Sequence, residues 1–458
     1  MSRFLLRLFF PLLLFCMSIQ AVRPQSVKYD EITYYHVGQN PGYAVVVGCG
    51  KYVTEASVRE MAFGTYVTQI WTTAFDQHTF LKKITLPSKL EVVASFAFRG
   101  CSSLRSLVLP NKVRHIGGSA FTDCYKLESI SFPRSLKQID DHAFCYCRNL
   151  QTVTIPDSVY SIGDYAFYRC GLTSLRLNAN VTSFGDYVFK DCYNLETVTM
   201  APVVSTIGNY AFNCCTKIDS LDLPTGLKTI GQYAFSECSS LKHLKFSYSL
   251  GSIGIHAFEG CTSLTSVEFP AHMYSFGSYA FAGCTSLDTV LFSESTVNVS
   301  IGAHAFEGCT NLRSVTLHDN NFRIYEYAFK GCVSLPKFTI PSTVERIEAS
   351  AFEGCTSLDS VTCLIEEPYA FGKDAFKNIS PKCVLTVPYG KRAAYIAKGW
   401  TTKIFKGGIV ELPAPEGIQT VKVNKADKGT YYDLEGREVL KPKKGRIYIR
   451  KGKKVLVK

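Results

Sequence analysis

Apolar residues return along this chain in groups whose internal spacing is the same each time. In the unit from Cys101 to Phe121 the spacing is Leu-x-x-Leu-x-Leu-Pro, then Val-x-x-Ile-Gly, then Ala-Phe. The first run has the length of one short strand, and proline stops it because proline has no N–H for a sheet ladder. A second extended stretch precedes the glycine, which permits a turn. Ala-Phe-x-x-Cys places Phe and Cys three residues apart, which predicts one helical turn with both side chains on a common face that points inward.

The same phrase recurs with a nearly fixed period. Ala-Phe-x-x-Cys is found twelve times between residues 97 and 355, once with Val188 in place of Ala, and the steps are 23 residues except one of 22 and one of 25. An earlier unit is recognised at Phe75. Such a period is typical of a solenoid, whose units bury their apolar faces only against their neighbours. We therefore predict about 13 repeats of about 23 residues, each with two short strands and a helical turn, over residues 71–363.

The repeat phrase Val-x-x-Ile-Gly-x-x-Ala-Phe-x-x-Cys resembles a known repeat class. It is similar to the leucine-rich repeats of the BspA-like, or treponemal-type, surface proteins, over about residues 71–363. The resemblance implies a β-rich leucine-rich repeat solenoid of the α/β horseshoe-like class. It also implies a surface protein with adhesion or host-contact roles rather than one particular reaction. Because the match is to scaffold positions, it carries over no site residues.

The segments around the repeats predict export and capping. Residues 1–21 combine Arg3 and Arg7 with an apolar run and Ala21, as in a signal peptide. That run is too short to span a membrane, and no other run of membrane length follows, so we expect no transmembrane helix. Residues 22–70 and 364–412 are predicted to cap the two ends of the solenoid. The expected location is secreted or at the cell surface, associated with the outer membrane.

Residues 413–458 differ from the rest in composition. They open with a Pro-rich linker, and residues 422–458 carry 13 Lys and Arg against 4 Asp and Glu, a net of +9 out of the +12 of the whole chain. Alternating apolar residues predict a basic β-hairpin. This tail resembles the C-terminal sorting domains of Bacteroidetes secreted and surface proteins. A purely structural end hairpin and a polyanion-binding tail are the alternatives, and we expect no nucleic-acid partner.

Most of the 18 cysteines occupy one repeat position. Neighbouring coils would hold these side chains parallel and about 4.8 Å apart, whereas a disulfide needs Cβ atoms about 3.5–4.5 Å apart and a twisted geometry. We therefore predict a ladder of buried free thiols, which pack as small apolar groups. Disulfide pairing and metal binding are the alternatives. Cys-x-x-Cys pairs at zinc-ligand spacing are not found, and no metal or cofactor is expected.

Two surfaces are candidates for binding. Side chains that flank the central apolar residue of each first strand point outward, because side chains alternate along a strand. The candidate binding face consists of Ser174, Arg176, Thr197, Thr199, Ser220, Asp222, His243, Lys245, Ser266 and Glu268. An aromatic residue also stands just before most Ala-Phe pairs, either as a structural ladder or as a binding stripe. The candidate aromatic edge consists of Tyr165, Tyr187, Tyr210, Tyr233, Tyr279 and Tyr327.

These surfaces predict a binding protein rather than an enzyme. Serine and threonine dominate the face, and no nucleophile is paired with an oriented base at a recognisable spacing. The charged group around His243 is interpreted as a solvated polar patch or a ligand contact, and a hydrolase is the least favoured alternative. We expect an exported, non-enzymatic protein that binds a protein or glycan on a host or neighbouring cell. A structural spacer or envelope scaffold without a specific ligand is the main alternative.

Overall fold

A computed structural model describes residues 25–38, 42–177, 180–293, 299–319 and 323–413. In the tail it also describes residues 419–421, 430–432, 438–439, 447–450 and 453–457. The predicted signal peptide lies outside the described residues, as do linker residues 414–418.

The apolar run of each repeat forms one strand of a parallel ladder along the solenoid. Its central side chain points into the core and its flanking side chains point outward, because side chains alternate along a strand. Sixteen such strands are described, so the solenoid has about 16 coils. They are Glu55–Ser57, Lys83–Thr85, Ser106–Val108, Ser129–Ser131, Thr152–Thr154, Ser174–Arg176, Thr197–Thr199, Ser220–Asp222, His243–Lys245, Ser266–Phe269, Thr289–Phe292, Ser314–Thr316, Lys337–Ile340, Ser360–Cys363, Val384–Val387 and Gly408–Glu411.

The predicted number of 13 repeats is therefore wrong. Strands Glu55–Ser57, Val384–Val387 and Gly408–Glu411 also belong to the ladder. Glu55–Ser57 pairs in parallel with Lys83–Thr85, and Val384–Val387 pairs with both Ser360–Cys363 and Gly408–Glu411. The terminal coils lack the Ala-Phe-x-x-Cys phrase, so a count of that phrase misses them.

The Val-x-x-Ile stretch of each repeat forms a second ladder of two-residue strands. Its strands are Val92–Val93, His115–Ile116, Gln138–Ile139, Ser161–Ile162, Thr206–Ile207, Thr229–Ile230, Ser252–Ile253, Ser275–Phe276, Arg323–Ile324 and Arg346–Ile347. Single bridges at Ser183 and Ile301 continue it. Near the N-terminus the same sheet extends through longer strands, and one short strand pairs at its side. These are Ser26–Tyr29, Ile32–Val37, Tyr43–Cys49, Met61–Ala62 and Thr65–Ile70.

The third side of each coil is a tight turn and not the predicted helical turn. Tyr210 and Cys214 have φ of 56° and 61°, in the left-handed region. As a result the N–H groups of Tyr210, Phe212 and Cys214 point along the solenoid and donate to carbonyl oxygens of the next coil at 2.8–2.9 Å. A helix would direct these donors into its own turn. The prediction of a helical turn in each repeat is wrong, because Phe and Cys three residues apart suit both conformations.

The core is a column of parallel phenylalanine rings. From Phe75 to Phe376 each ring stacks on the next, with centroids 5.0–5.7 Å apart. Every ring is buried, as is the Ala or Val that precedes it. The predicted inward orientation of this column is confirmed. Because each ring has partners on both sides, the column joins all the coils into one apolar core.

The repeat cysteines are buried beside this column and have a specific partner. In each of the twelve units, from Cys101 to Cys355, the thiol donates to the carbonyl oxygen of the preceding coil's Phe at 3.1–3.3 Å. Cysteine is small enough for this position and supplies a weak donor. The sequence predicted buried thiols but gave no indication of this bond between coils.

The glycine that follows the second strand in most coils is required by close approach rather than by a turn. A Cβ added to Gly277 would lie 2.4 Å from backbone atoms of Gly254 in the preceding coil. A Cβ added to Gly254 would lie 2.6 Å from the backbone of Gly231 and Gln232. Neither glycine has positive φ. The absence of a side chain therefore lets adjacent coils stack closely at this edge.

The C-terminal part contains a helix and a separate small sheet. Helix Arg392–Ala397 precedes Trp400, which is fully buried and donates from Nε1 to the carbonyl oxygen of Tyr369 at 2.8 Å. In the tail the hairpin Ile447–Arg450 and Lys453–Val457 is antiparallel. The other strands of its sheet are Gln419–Val421, Tyr431–Tyr432 and Glu438–Val439. Tyr431, Tyr448 and Val455 form its small apolar core.

Candidate binding surfaces

The outward side chains of the first ladder form a continuous polar surface, which we call the strand face. Its residues stand on both sides of the buried central residue in strands such as Thr152–Thr154 and Ser220–Asp222. Small hydroxyl side chains leave this surface open. A concavity of about 970 Å³ lies over Ser106–Val108, Ser129–Phe132 and Thr152–Thr154. Within it Val108 is 74% exposed, so the surface offers apolar area as well as hydroxyl groups.

The ten candidate face residues lie on five adjacent strands. In the register of the ladder Ser174 pairs with Thr197, and Arg176 with Thr199. Two strands further along, Ser220 pairs with His243, and Asp222 with Lys245. A smaller concavity of about 160 Å³ joins these last two strands to Ser266, and Glu268 follows on the same strand. The structure thus brings the charged group around His243 together, and its role in binding stays a prediction.

The aromatic edge is a stack of parallel rings. From His142 to Tyr327 neighbouring centroids are 4.2–4.7 Å apart and the ring planes differ by 4–19°. The six candidate tyrosines are half-buried in it. Histidines take part in the same stack, and His256 Nδ1 lies 2.8 Å from Glu259 Oε2. Because ring faces are used against each other, mainly ring edges and hydroxyl groups remain for a partner.

A third surface, which we call the Arg–Tyr corner, was missed by the sequence prediction. It consists of Tyr125, Tyr146, Arg148, Tyr168, Arg169 and Tyr193. The guanidinium of Arg148 lies 5.6 Å from the centre of the Tyr125 ring and 5.8 Å from that of Tyr146. The guanidinium of Arg169 lies 5.7 Å from Tyr146 and 5.2 Å from Tyr168. Arginines therefore alternate with tyrosine rings, an arrangement stabilised by cation–π attraction.

One ion pair anchors this corner. Arg169 Nε donates to Asp191 Oδ2 at 2.9 Å, and the Asp191 side chain is 5% exposed. Burial opposes ionisation of this carboxyl, but the hydrogen bond from Arg169, the charge of Lys190 and a hydrogen bond from Tyr168 together outweigh it and lower the pKa of Asp191. Lys190 Nζ lies 3.4 Å from the other oxygen of Asp191. Asp191 is thus held as a charged anchor, and Arg169 is fixed by it.

Nothing in the described part of these surfaces points to catalysis. Among the described residues no group of three or more His, Cys, Asp or Glu side chains is arranged to hold a metal ion. Burial raises the pKa of the repeat thiols, to about 12 for Cys192 and Cys309, so they are not nucleophiles at neutral pH. Within the described part of the chain, no helix is both long enough and apolar enough to cross a bilayer.

A family comparison matches this architecture. The model described as BspA type leucine-rich repeat region (6 copies) matches residues 52–173, 160–288 and 286–388, together more than half of the 458 residues. The chain belongs to the BspA-type leucine-rich repeat family. These repeat proteins are surface proteins and are generally non-enzymatic. No match is found among curated protein sequences.

Solved structures of bacterial repeat proteins are similar to this BspA-type chain. A leucine-rich repeat protein from Bacteroides ovatus is 26% identical, with a TM-score of 0.61 over 84% of this chain and 99% of that one. A leucine-rich cell surface protein from Faecalibacterium prausnitzii is 22% identical, with a TM-score of 0.45 over 83% and 98% of the two chains. The leucine-rich repeat protein of T. pallidum is 28% identical, with a TM-score of 0.39 over 42% and 91%.

Proposed function

We propose that this BspA-type protein is exported and binds a protein or glycan of a host or neighbouring cell through its strand face. The observation that supports this most is the open, hydroxyl-rich surface of a family that consists of surface proteins. Hydroxyl groups at regular spacing hydrogen-bond adaptably, and exposed residues such as Val108 add apolar contact. Affinity then comes from many modest contacts along the ladder. The surface binds without chemical change to the partner.

Substitutions on the strand face test this function directly. Ser220→Arg with Ser266→Arg fills the small concavity, and an arginine is already tolerated at the outward position of Arg176. The mature chain is assayed for saturable binding to purified host matrix proteins, glycan arrays and bacterial cells. Tyr210→Ser on the aromatic edge is the comparison variant. Binding that is lost only in the double variant supports the strand face, whereas absence of saturable binding to all three probes refutes the function.

We propose further that residues 1–21 direct export and that residues 413–458 act as a sorting segment. The hairpin and small apolar core of the tail support a folded unit, which a recognition signal requires. Deletion of residues 413–458 is then expected to leave the protein inside the producing cell envelope, and the mature protein is expected to begin after Ala21. Normal surface delivery of the truncated chain, seen by immunolabelling of intact cells, would contradict the sorting role.

A further inference from the structure

Comparison of equivalent positions among the coils shows where one coil differs from the others. The second residue after each core Phe has positive φ, and in six coils it is glycine, with φ of 71–77°. These are Gly100, Gly260, Gly283, Gly308, Gly331 and Gly354. Glycine is the residue that adopts this conformation without steric cost. The other coils show what the protein places here when it does not use glycine.

Six consecutive coils depart from glycine at this position. Asp123, Tyr146, Arg169, Asp191, Cys214 and Glu237 keep the same backbone with φ of 55–62°. Aspartate tolerates the left-handed region, but tyrosine and arginine are strained there. The strained residues Tyr146 and Arg169 lie on adjacent coils and both belong to the Arg–Tyr corner. Cys214 and Glu237 keep the same backbone two and three coils further along, so positive φ alone does not distinguish this place. The corner is distinguished by the large side chains placed there and by the contacts of Tyr146 with Arg148 and Arg169.

The loop in the middle of the corner is also unusual. The step from Phe167 to Phe189 is one residue short, and the loop residue Gly171 is buried. A Cβ at Gly171 would lie 2.0 Å from the carbonyl oxygen of Arg148, so the shortened loop follows the preceding coil closely. At the equivalent corners of the adjacent coils Arg148 and Tyr193 are exposed. They therefore stand on either side of the shortened loop.

The charges of the corner indicate what fits it. Arg169 is held by Asp191, whereas no carboxylate within the described parts of the chain forms an ion pair with Arg148. The Arg148 guanidinium is thus positioned between two rings with its donors available for a bidentate acceptor such as a carboxylate. Asp123 and Asp191 lie among the arginines, and such alternating charge disfavours a uniformly charged polyanion. The mixture of arginine and tyrosine is instead typical of protein-binding hot spots.

We propose that the Arg–Tyr corner is a docking site for an extended acidic peptide segment of a protein partner. An Asp or Glu of the segment binds Arg148, and apolar side chains beside it pack on Tyr125, Tyr146 and Tyr193. Tyr125 and Tyr193 stand three coils apart, about 15 Å along the solenoid, which four or five extended residues span. The site deepens the proposed function, on which it rests, but it lies on a different side of the coil from the strand face.

Selection from a displayed random-peptide library tests this site. The library is selected on the mature chain, and synthetic copies of the enriched peptides are titrated by fluorescence polarisation. We expect enriched peptides to carry Asp or Glu next to Val, Leu or an aromatic residue. Arg148→Glu is expected to weaken their binding about tenfold or more, as at an interface hot spot. Thr310→Glu is the matched control, because Thr310 follows Cys309 as Arg148 follows Cys147.

A second variant excludes misfolding as the cause of any loss. Tyr146→Gly restores the residue that six other coils use at this position, so it is compatible with the backbone. It is expected to keep the far-ultraviolet circular dichroism of the unsubstituted protein and to weaken peptide binding severalfold. Preserved binding in Tyr146→Gly and Arg148→Glu would overturn the site.

Other outcomes separate this site from the function as a whole. Failure to enrich any peptide, or enrichment of peptides without a carboxylate, overturns the docking site. Arg148-dependent binding to acidic sugars on a glycan array, without peptide binding, assigns the corner to a glycan and also overturns it. If Ser220→Arg with Ser266→Arg abolishes binding to host proteins or cells while Arg148→Glu does not, the strand-face function stands and the corner site fails.

Discussion

Removal of the Phe212 ring tests whether the phenylalanine column holds neighbouring coils together. The side chain is fully buried, and its ring stacks at 5.3 Å on both Phe189 and Phe235. Phe212→Ala leaves a cavity between two coils whose spacing is set by backbone bonds, such as that from Phe212 N–H to the Ala234 carbonyl oxygen at 2.8 Å. Because these bonds resist collapse of the cavity, we expect the free energy of unfolding to fall by about 3–5 kcal/mol.

Tyr210→Ala is the matched control, because it also removes a stacked ring from the same coil. The Tyr210 ring lies 4.5 Å from both Tyr187 and Tyr233, but the side chain is half-buried and leaves no enclosed cavity. We expect it to cost about 1 kcal/mol, the value of stacking without burial of a core ring. The structure thus predicts that the two variants differ by about 2–4 kcal/mol.

The assay has to resolve single coils, since long repeat arrays do not unfold as one two-state unit. Hydrogen exchange followed by mass spectrometry is suited to this, together with urea unfolding. Phe212→Ala is expected to accelerate exchange most in the peptides that contain Phe189, Phe212 and Phe235, and less towards the ends of the solenoid. Equal destabilisation by Phe212→Ala and Tyr210→Ala would refute the assignment of the column as the main source of cohesion.

Three further predictions follow from other columns of the solenoid. Burial raises the pKa of Cys192 to about 12, so iodoacetamide at pH 8 is expected to modify the repeat thiols only after unfolding; rapid modification of the native protein would contradict this. Burial and repulsion by Asp141 and Asp186 raise the pKa of Asp164, which destabilises the fold once the carboxyl ionises. Asp164→Asn is therefore expected to raise the free energy of unfolding, measured in urea, by a few tenths of a kcal/mol at pH 7 and not at all at pH 3. Equal gains at both pH values would show that the carboxylate charge is not the cause. Gly277→Ala is expected to lower the thermal midpoint by several degrees, because its Cβ would meet the Gly254 backbone at 2.4 Å; an unchanged midpoint would show that the coils separate easily.

The interior of the solenoid was predictable because its pattern is repeated and simple. Period and side-chain alternation identified the Phe column, the buried thiols and the outward side chains of strands such as Ser220–Asp222. The conformation of the tight turn was not predictable from spacing. The sign of φ at Tyr210 is set by hydrogen bonds to the next coil, which the order of residues within one repeat does not display. The terminal coils were missed for a related reason, because strands such as Gly408–Glu411 join the ladder without the repeated phrase.

The candidate surfaces illustrate a different limit. Alternation places Ser220 and Asp222 on the strand face but does not reveal that His243 and Lys245 complete a concavity with them. The Arg–Tyr corner was missed because its residues stand at variable positions of the repeat. A signal was nevertheless available, since glycine occupies the position of Tyr146 in other coils. Without the backbone angles, however, the sequence does not show that replacing glycine at this position costs conformational energy.

In this fold the residues that determine how coils stack are separate from the surface residues, and this makes a departure from glycine informative. Phe, Cys and the close-approach glycines determine how coils stack, so outward residues are free to vary without loss of the solenoid. Exchange of Ser and Thr along the strand face costs no stability, so this variation gives little indication of function. Tyr146 and Arg169 differ, because they occupy a strained backbone where glycine serves elsewhere, and a shortened loop lies beside them. The Phe and Cys columns do not require the Tyr146 side chain, and Arg169 pairs with Asp191 outside those columns. The alignment of both side chains with Arg148 therefore favours selection for contact with another molecule.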